Sequence, residues 1–180
     1  MGDSLSYAPD WRGDETLYSW AAGFHQAVGN GSARDTGRLL FGAEHACRDH
    51  DAPTKLSHFV QVTRGRLGDV SWILRHRTPL GLFVPFLSLE RSNVLASRML
   101  SAEGVGWSVL CGMPASSLND RMSMRYCPAC LTRDMDEWGS VRWRLPHQLL
   151  GAWLCLEHRS VLVEARARGS EWILPGTGGE

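Results

Sequence analysis

The sequence lacks net charge, a long apolar run and a secretory signal. Its 19 basic residues balance 19 acidic residues, which argues against a protein that coats nucleic acid or other polyanions generally. No apolar run approaches the roughly 20 residues that a transmembrane helix needs. Residues 1–3 do not open a secretory signal. These absences predict a cytoplasmic protein without a membrane segment.

Signatures of catalytic sites are also missing from the sequence. It contains no P-loop, no G-x-S-x-G nucleophile motif and no H-E-x-x-H metalloprotease motif. Zinc deaminases place H-x-E or C-x-E ahead of P-C-x-x-C and leave one metal position open for water. Here Tyr126 rather than proline precedes Cys127, and the C-x-E lies later in the chain, at Cys155. The sequence therefore predicts a protein that is not an enzyme.

Two closely spaced pairs of residues have the pattern of metal ligands. Cys127 and Cys130 form a C-x2-C pair, and 24 residues separate it from the C-x2-H pair of Cys155 and His158. Three thiolates and one imidazole can fill the tetrahedral shell of a structural zinc ion. Soft sulfur ligands favour zinc over magnesium or calcium. The spacing therefore predicts zinc in a zinc ribbon that has an insertion between the pairs.

The alternative interpretation is a redox C-x2-C beside an unrelated cysteine and histidine. A redox pair needs a thioredoxin-like βαβ context, which the sequence around Cys127 does not show. The five cysteines, an odd number, suit thiolate ligands in a reducing cytoplasm better than a disulfide framework. The zinc interpretation is therefore favoured.

Helical patterns dominate the first hundred residues. Apolar residues recur at helical spacing after Asp14, which we predict to cap the first helix. Ser32 and Asp69 have the sequence context of N-caps for two further helices, and residues 89–100 are amphipathic. These patterns predict a helical domain over residues 1–110.

The pattern changes near residue 110, where glycines and prolines end the helical periodicity. The sequence here predicts three strands. One covers residues 141–145, where apolar and charged residues alternate, one follows the second ligand pair, and one covers residues 171–174. We therefore predict an α+β fold in which a zinc-ribbon β module, residues 111–180, follows the helical domain. We also predict that Cys130→Ser unfolds the chain from about residue 120 onward while the N-terminal helices persist.

Tryptophan is abundant, with eight residues in the chain. A base-stacking platform needs exposed rings in a basic groove, whereas a small β module needs large apolar side chains to fill its core. We therefore interpret the tryptophans in or beside the zinc region as core residues. They are Trp138, Trp143, Trp153 and Trp172.

A helix-turn-helix outline is present near the middle of the helical domain. A glycine-containing turn joins two short predicted helices, the second of which begins after Asp69. In the DNA-binding form the N-terminal part of the second helix contacts bases, but the basic residues here lie in the turn and at the far end. An ordinary helical hairpin with a basic face fits equally well. The residues predicted to bind nucleic acid or a partner are Arg64, Arg66, Arg75 and Arg77.

The motifs at both ends of the chain resemble those of the TniQ family of transposition proteins. The resemblance spans roughly residues 10 to 165 and is to a short form, related to the N-terminal part of TnsD. It is carried by Glu15-Thr16-Leu17-Tyr18-Ser19-Trp20, Asn30-Gly31-Ser32, Arg125-Tyr126-Cys127-Pro128-Ala129-Cys130-Leu131, Asp134, Trp143-Arg144, His147-Gln148-Leu149 and Cys155-Leu156-Glu157-His158. Some relatives build a second zinc site from cysteines after the C-x2-H pair, and residues 161–180 contain none.

The resemblance implies a non-enzymatic adaptor that helps to choose the transposition target. Family members are implicated in linking a target-recognition element to an AAA+ transposition ATPase of the TnsC type, which recruits the transposase. The recognition element is DNA or, in CRISPR-associated elements, an effector complex with its guide RNA, and direct DNA contact by the adaptor is left open. The alternative function is an independent zinc-containing helix-turn-helix regulator that binds DNA, since the same parts would serve it.

Overall fold

The computed structural model describes residues 5–46, 50, 54–100, 123–165 and 171–177. Within them the chain forms seven α-helices and one two-stranded antiparallel sheet, which confirms the α+β class. Two 3-10 turns, Pro79–Leu82 and Val84–Phe86, lie between the fourth and fifth helices. The elements are α1 (Leu17–Val28), α2 (Ala33–Phe41), α3 (Leu56–Val62), α4 (Val70–Arg77), α5 (Leu89–Leu100), β1 (Arg125–Tyr126), α6 (Pro128–Trp138), α7 (Leu145–Gln148) and β2 (Val163–Glu164).

Short polar side chains cap helices α1, α2 and α4. The predicted caps of α2 and α4 are confirmed, because Ser32 accepts from the backbone N–H of Arg34 and Asp69 accepts from that of Trp72. Helix α1 begins later than predicted, with Thr16 rather than Asp14 as its N-cap. The reason is that Asp14 is engaged with residues far along the chain, as described below.

One hydrophobic core contains residues from both ends of the chain. Trp172 contacts the ring of Phe41 in α2 and that of Tyr18 in α1, with centroids 5.9 and 5.4 Å apart. Its indole N–H donates to the carbonyl of Ala33 at 3.0 Å. Trp143 is buried in the same core, whereas Trp138 and Trp153 are exposed. Two of the four tryptophans near the zinc region are thus core residues, and that core is shared with the helices.

The predicted division into domains stays a prediction, since the boundary near residue 110 lies outside the described residues. The predicted strand at residues 141–145 is wrong, because that segment forms only one bridge, from Arg144 to Glu15. Its backbone instead binds the start of α1: Thr16 N–H donates to the Trp143 carbonyl, and Trp143 N–H donates to the Ser19 hydroxyl. The arginines that alternate with the apolar residues are buried as well.

Two further β predictions have different outcomes. Residues 171–174 contain no strand, since Trp172 and Leu174 are anchored in the helical core rather than in a sheet. A strand does follow the second ligand pair, at β2, and it pairs with β1. The predicted insertion between the ligand pairs contains helix α6. The small sheet therefore brackets the ligand pairs, while helices occupy the space between them.

The 3-10 turn after α4 packs closely against the helix it leaves. A Cβ added at Gly81 would lie 2.1 Å from the carbonyl oxygen of Arg75. We expect Gly81→Ala to destabilise the protein by roughly 1–3 kcal/mol, because the turn must move away from α4. Urea unfolding measures this change. Gly31→Ala is the control, since no atom lies within 4 Å of a Cβ there; equal midpoints for the two variants would contradict the close packing.

Candidate metal centre

The first ligand pair lies at the start of helix α6. Cys127 is the N-cap of α6 and Cys130 lies in its first turn, so both sulfurs are near the positive end of the helix dipole, which favours thiolates. Gln148 holds the incoming strand β1 in place. Its side-chain oxygen accepts from the backbone N–H of Arg125 at 3.0 Å, and its amide N–H donates to the Arg125 carbonyl at 2.7 Å.

The second ligand pair lies in a tight turn, residues 155–160. The Cys155 N–H donates to the carbonyl of Ser160, and the Arg159 N–H donates to the carbonyl of Cys155, both at 2.8 Å. Arg159 adopts a left-handed conformation with φ of 51°, which reverses the chain after His158. We call residues 153–163 the metal hairpin, since a bridge from Leu154 to Val161 closes the base of this turn.

The four predicted ligands come together. The Nδ1 atom of His158 lies 3.6 Å from the sulfur of Cys127, 3.3 Å from that of Cys130 and 3.6 Å from that of Cys155. The sulfurs of Cys130 and Cys155 are 3.7 Å apart, too far for a disulfide bond of about 2.05 Å. All four ligand atoms lie within 4.8 Å of one another.

These separations fit a four-coordinate metal ion. With bonds of about 2.3 Å to sulfur and about 2.0 Å to nitrogen, neighbouring ligand atoms of a tetrahedron lie about 3.5–3.8 Å apart. The observed contacts of 3.3 to 3.7 Å are close to these values. Cys127, Cys130 and Cys155 are buried and His158 is exposed. The cluster therefore suggests a metal site, with histidine on its solvent side.

The thiols of the cluster differ in how readily they ionise. Burial opposes ionisation of Cys127, but hydrogen bonds with the Ser160 hydroxyl and the Cys130 backbone outweigh it and lower the pKa of Cys127 to about 7. Burial raises the pKa of Cys130, and its hydrogen bond with Cys155 adds to the rise. Three thiolates this close repel one another, so a bound cation would allow all three to ionise together.

A partly buried set of ion pairs connects the metal hairpin to α6. Asp134 of α6 is fully buried, and its Oδ1 lies 2.6 Å from Nη2 of Arg144 and 3.5 Å from Nη2 of Arg142. Arg144 also lies 3.4 Å from a carboxylate oxygen of Glu157, the residue just before His158. Glu157 forms a second ion pair, with Arg133 of α6.

The same ion pairs continue to the N-terminal segment. The Oδ1 atom of Asp14 lies 3.5 Å from Arg142 and 3.6 Å from Arg144, and its carbonyl accepts from the Leu145 N–H at 2.8 Å. We call this set the ion-pair network. Its members are Asp14, Arg133, Asp134, Arg142, Arg144 and Glu157. It joins the turn that holds His158 to the residues just before α1.

Glu15, next to this network, is also buried. It accepts a 2.6 Å hydrogen bond from the backbone N–H of Arg12. Burial raises the pKa of Glu15, while that hydrogen bond and the guanidinium of Arg12 act in the opposite direction. Its backbone carbonyl accepts from Arg77 at 3.3 Å. The segment before α1 thus depends on arginines from several parts of the chain.

Sequence reasoning predicted the cluster of three cysteines and one histidine but not the ion-pair network. One signal was present, because residues 141–145 place arginines on both sides of a tryptophan that proves fully buried. A strand with one solvent-exposed face would give the same alternation of apolar and charged residues. A buried acidic partner distinguishes buried arginines from a strand with one exposed face. The sequence does not single out Asp134 as that partner, because the other acidic residues of its helix are exposed.

The four predicted basic residues do not form one surface group. Arg64, Arg66 and Arg75 are exposed, and Arg66 lies 3.4 Å from Asp10. Arg77 is half-buried and turns inward: it donates to the Gly13 carbonyl at 2.5 Å and stacks over two indole rings, those of Trp11 and Trp72. A binding role for the four residues stays a prediction, and Arg77 also has a structural role.

Comparison with known proteins yields one family. The TniQ family model matches residues 7–162. The match includes all four ligand residues, every member of the ion-pair network and the helices between them. A comparison with curated proteins found no match to this chain. Within the described residues, no helix is both long and apolar enough to cross a lipid bilayer.

Proposed function

Because the chain belongs to the TniQ family of non-catalytic transposition adaptors, we propose that it links a target-recognition element to an AAA+ transposition ATPase of the TnsC type. The recognition element would be target DNA or a CRISPR effector complex with its guide RNA. The observation that carries this proposal is the extent of the family match, which covers residues 7–162 of 180. Both the helical part and the metal centre fall within it.

The metal in this proposal is zinc. Three sulfur ligands and one imidazole are the donor set of closed structural zinc sites. Four protein ligands leave no open position for a reactive water, which suits an adaptor better than a hydrolase. Zinc would clamp the start of α6 to the metal hairpin, and Glu157 would then hold that hairpin against Arg133 and Arg144.

The ion-pair network supports a single binding platform. It places paired charges between the metal hairpin, α6 and the segment before α1, and the Trp143 backbone binds Thr16 and Ser19. Such a platform can present a partner surface on the helices and another on the metal hairpin in a defined relative position. That is the structural requirement for an adaptor between two larger assemblies.

The exposed basic residues are the first surface to test. We expect the triple variant Arg64→Ala, Arg66→Ala, Arg75→Ala to weaken binding of the zinc-loaded chain to the ATPase of its own element by roughly tenfold. Arg77 is left unchanged because of its internal contacts. Biolayer interferometry with the purified ATPase measures the effect. The matched control removes three exposed arginines elsewhere, Arg34, Arg38 and Arg91.

A DNA-binding assay on the same variants separates the adaptor from an independent DNA-binding regulator. Phosphate contacts make affinity fall steeply with salt, whereas protein contacts respond less. We expect weak and sequence-indifferent DNA binding by the isolated chain. Nanomolar binding to one short duplex in physiological salt, lost in the triple variant, would replace the adaptor proposal with the regulator one. Unchanged ATPase binding in that variant would show that these arginines are not part of the proposed interface.

A further inference from the structure

The metal hairpin presents an apolar face to solvent. Leu154 and Val161 lie directly opposite each other in the bridge, so their side chains share one face. Val163, two residues further on, lies on that face too, and Leu156 in the turn is 85% exposed. The side chains of Trp153, Cys155 and Leu162 point to the opposite face, where Cys155 and Leu162 are buried at the metal centre and Trp153 is exposed. We call Leu154, Leu156, Val161 and Val163 the hairpin face; all four are exposed.

This composition is unusual for the outer side of a sheet. An antiparallel sheet that covers a core on one face normally has polar residues on its solvated face. Contiguous exposed apolar residues mark interaction sites more often than chance. Trp153 lies in the same hairpin but on the opposite face, across from Leu162, where it is 59% exposed and has the guanidinium of Arg125 4.3 Å from its ring centre. A rigid aromatic ring held in this way is a typical interface anchor.

The hairpin also has a free backbone edge. Residues 160–162 bind residues 153–155 on one side, since Leu162 N–H donates to the Trp153 carbonyl at 2.8 Å. Residues 163–165 bind the β1 segment on the other side, and Gln148 covers the outer edge of β1. Within the part of the chain that the structure describes, the Leu154 backbone has no hydrogen-bond partner. Such an edge can accept an added strand.

The charge left unpaired beside the hairpin face is positive. Glu157 is paired with Arg133 and Arg144, and Glu164 lies 3.5 Å from Arg125. Arg159, at the tip of the hairpin, is exposed and forms no ion pair with any described residue. An acidic side chain in a bound partner would therefore find a cation with no competing intramolecular carboxylate.

From these contacts we propose that the metal hairpin binds an extended segment of a partner protein by strand addition at Leu154. Because the side chains of an added strand alternate between the two faces, the segment carries apolar side chains for the hairpin face on one side and for Trp153 on the other, and an acidic residue for Arg159. The inference goes beyond the proposed function, since it requires only the folded hairpin and holds for any partner with such a segment. Its occupant is a peptide rather than a nucleic acid, because the contact surface is apolar with one cation.

A displayed library of random peptides of about twelve residues tests the proposal. Selection uses the full zinc-loaded chain, and synthetic copies of the enriched peptides are then measured by fluorescence anisotropy. We expect enriched peptides to combine alternating apolar residues with Asp or Glu. Leu156→Glu should weaken their binding by roughly tenfold or more. Zinc content and thermal unfolding verify that the variant is folded, as the 85% exposure of Leu156 leads us to expect.

Two further variants make the test specific. Phe86→Glu is the matched control: Phe86 is equally exposed, at 83%, but lies in a 3-10 turn outside the metal hairpin, and this variant should bind as the unaltered chain does. Arg159→Glu should reverse the charge preference, so that peptides with lysine in place of the acid now bind better. Methylation of the peptide nitrogen that pairs with Leu154 should abolish binding.

Several results would overturn the proposal. These are a selection without enrichment, enriched peptides without acidic residues, and binding that neither Leu156→Glu nor Arg159→Glu changes. Light scattering tests a further outcome. If the unaltered chain is a dimer and Leu156→Glu is a monomer, the hairpin face binds a second copy of the chain instead of a peptide. Because ATPase binding is measured separately with the triple arginine variant, failure here leaves the adaptor proposal standing.

Discussion

Removing the proposed metal ion, or replacing Cys130 with serine, is expected to unfold the metal hairpin and to loosen the start of α1. The three buried cysteines and Leu162 form a small cluster of their own, with little other apolar area to hold the hairpin. In zinc-finger peptides, metal binding contributes an apparent ~10–16 kcal/mol at neutral pH. We expect a smaller loss here because the helical core remains, but one large enough to expose residues 153–163 fully to hydrogen exchange.

The effect on α1 follows from contacts across the chain. With two separate domains, the N-terminal helices would persist in Cys130→Ser. However, Thr16 and Ser19 bind the backbone of Trp143, and the ion-pair network connects that segment to the hairpin. We therefore expect hydrogen exchange to rise at residues 16–20 as well, by less than in the hairpin.

Chelation gives a reversible version of this experiment. A zinc chelator should reproduce the exchange pattern of Cys130→Ser, and added zinc, but not magnesium, should restore protection. Hydrogen-exchange mass spectrometry resolves the two regions. Full protection at residues 16–20 in a chain whose hairpin has opened would restore the prediction of two independent domains. Less than one zinc ion per chain in the purified protein would contradict the proposal that the cluster binds zinc.

Asp134→Asn is expected to destabilise the protein by about 3–5 kcal/mol, the usual cost of removing one partner from a buried ion pair. Asparagine keeps the shape of the side chain but removes its charge. Arg144 and Arg142 would remain buried, with the half-exposed Asp14 and Glu157 as their acidic partners in the network. Urea unfolding measures the loss. Asp136→Asn, an exposed position in the same helix, should change stability by less than about 0.5 kcal/mol.

A double substitution checks the cause of this loss. Replacing both partners with apolar residues, Asp134→Leu with Arg144→Met, should cost less than the sum of the two single substitutions, because neither charge is then left buried alone. Additive losses would show that the two side chains do not act as a pair. A loss below about 1 kcal/mol in Asp134→Asn would show that the arginines are adequately solvated without it.

The sequence by itself determined the features that depend on neighbouring residues. The cluster of Cys127, Cys130, Cys155 and His158 could be predicted because two metal ligands held by one tight turn must be close in sequence. The caps at Ser32 and Asp69 could be identified because a capping side chain binds an N–H only two or three residues away. Such geometry is local, and a short window of sequence contains all of it.

Only the tertiary structure decided how residues 141–145 and Arg77 are used. Apolar and charged residues alternate in residues 141–145, as in a strand with one solvent-exposed face. The arginines there are nevertheless buried and neutralised by two aspartates, Asp134 and Asp14. Asp14 is more than 120 residues away in sequence. Arg77 resembles a surface cation until Gly13 and Trp11 are placed against it. A charged side chain can be exposed or buried according to whether a counter-charge or carbonyl reaches it, and folding alone brings such distant groups together.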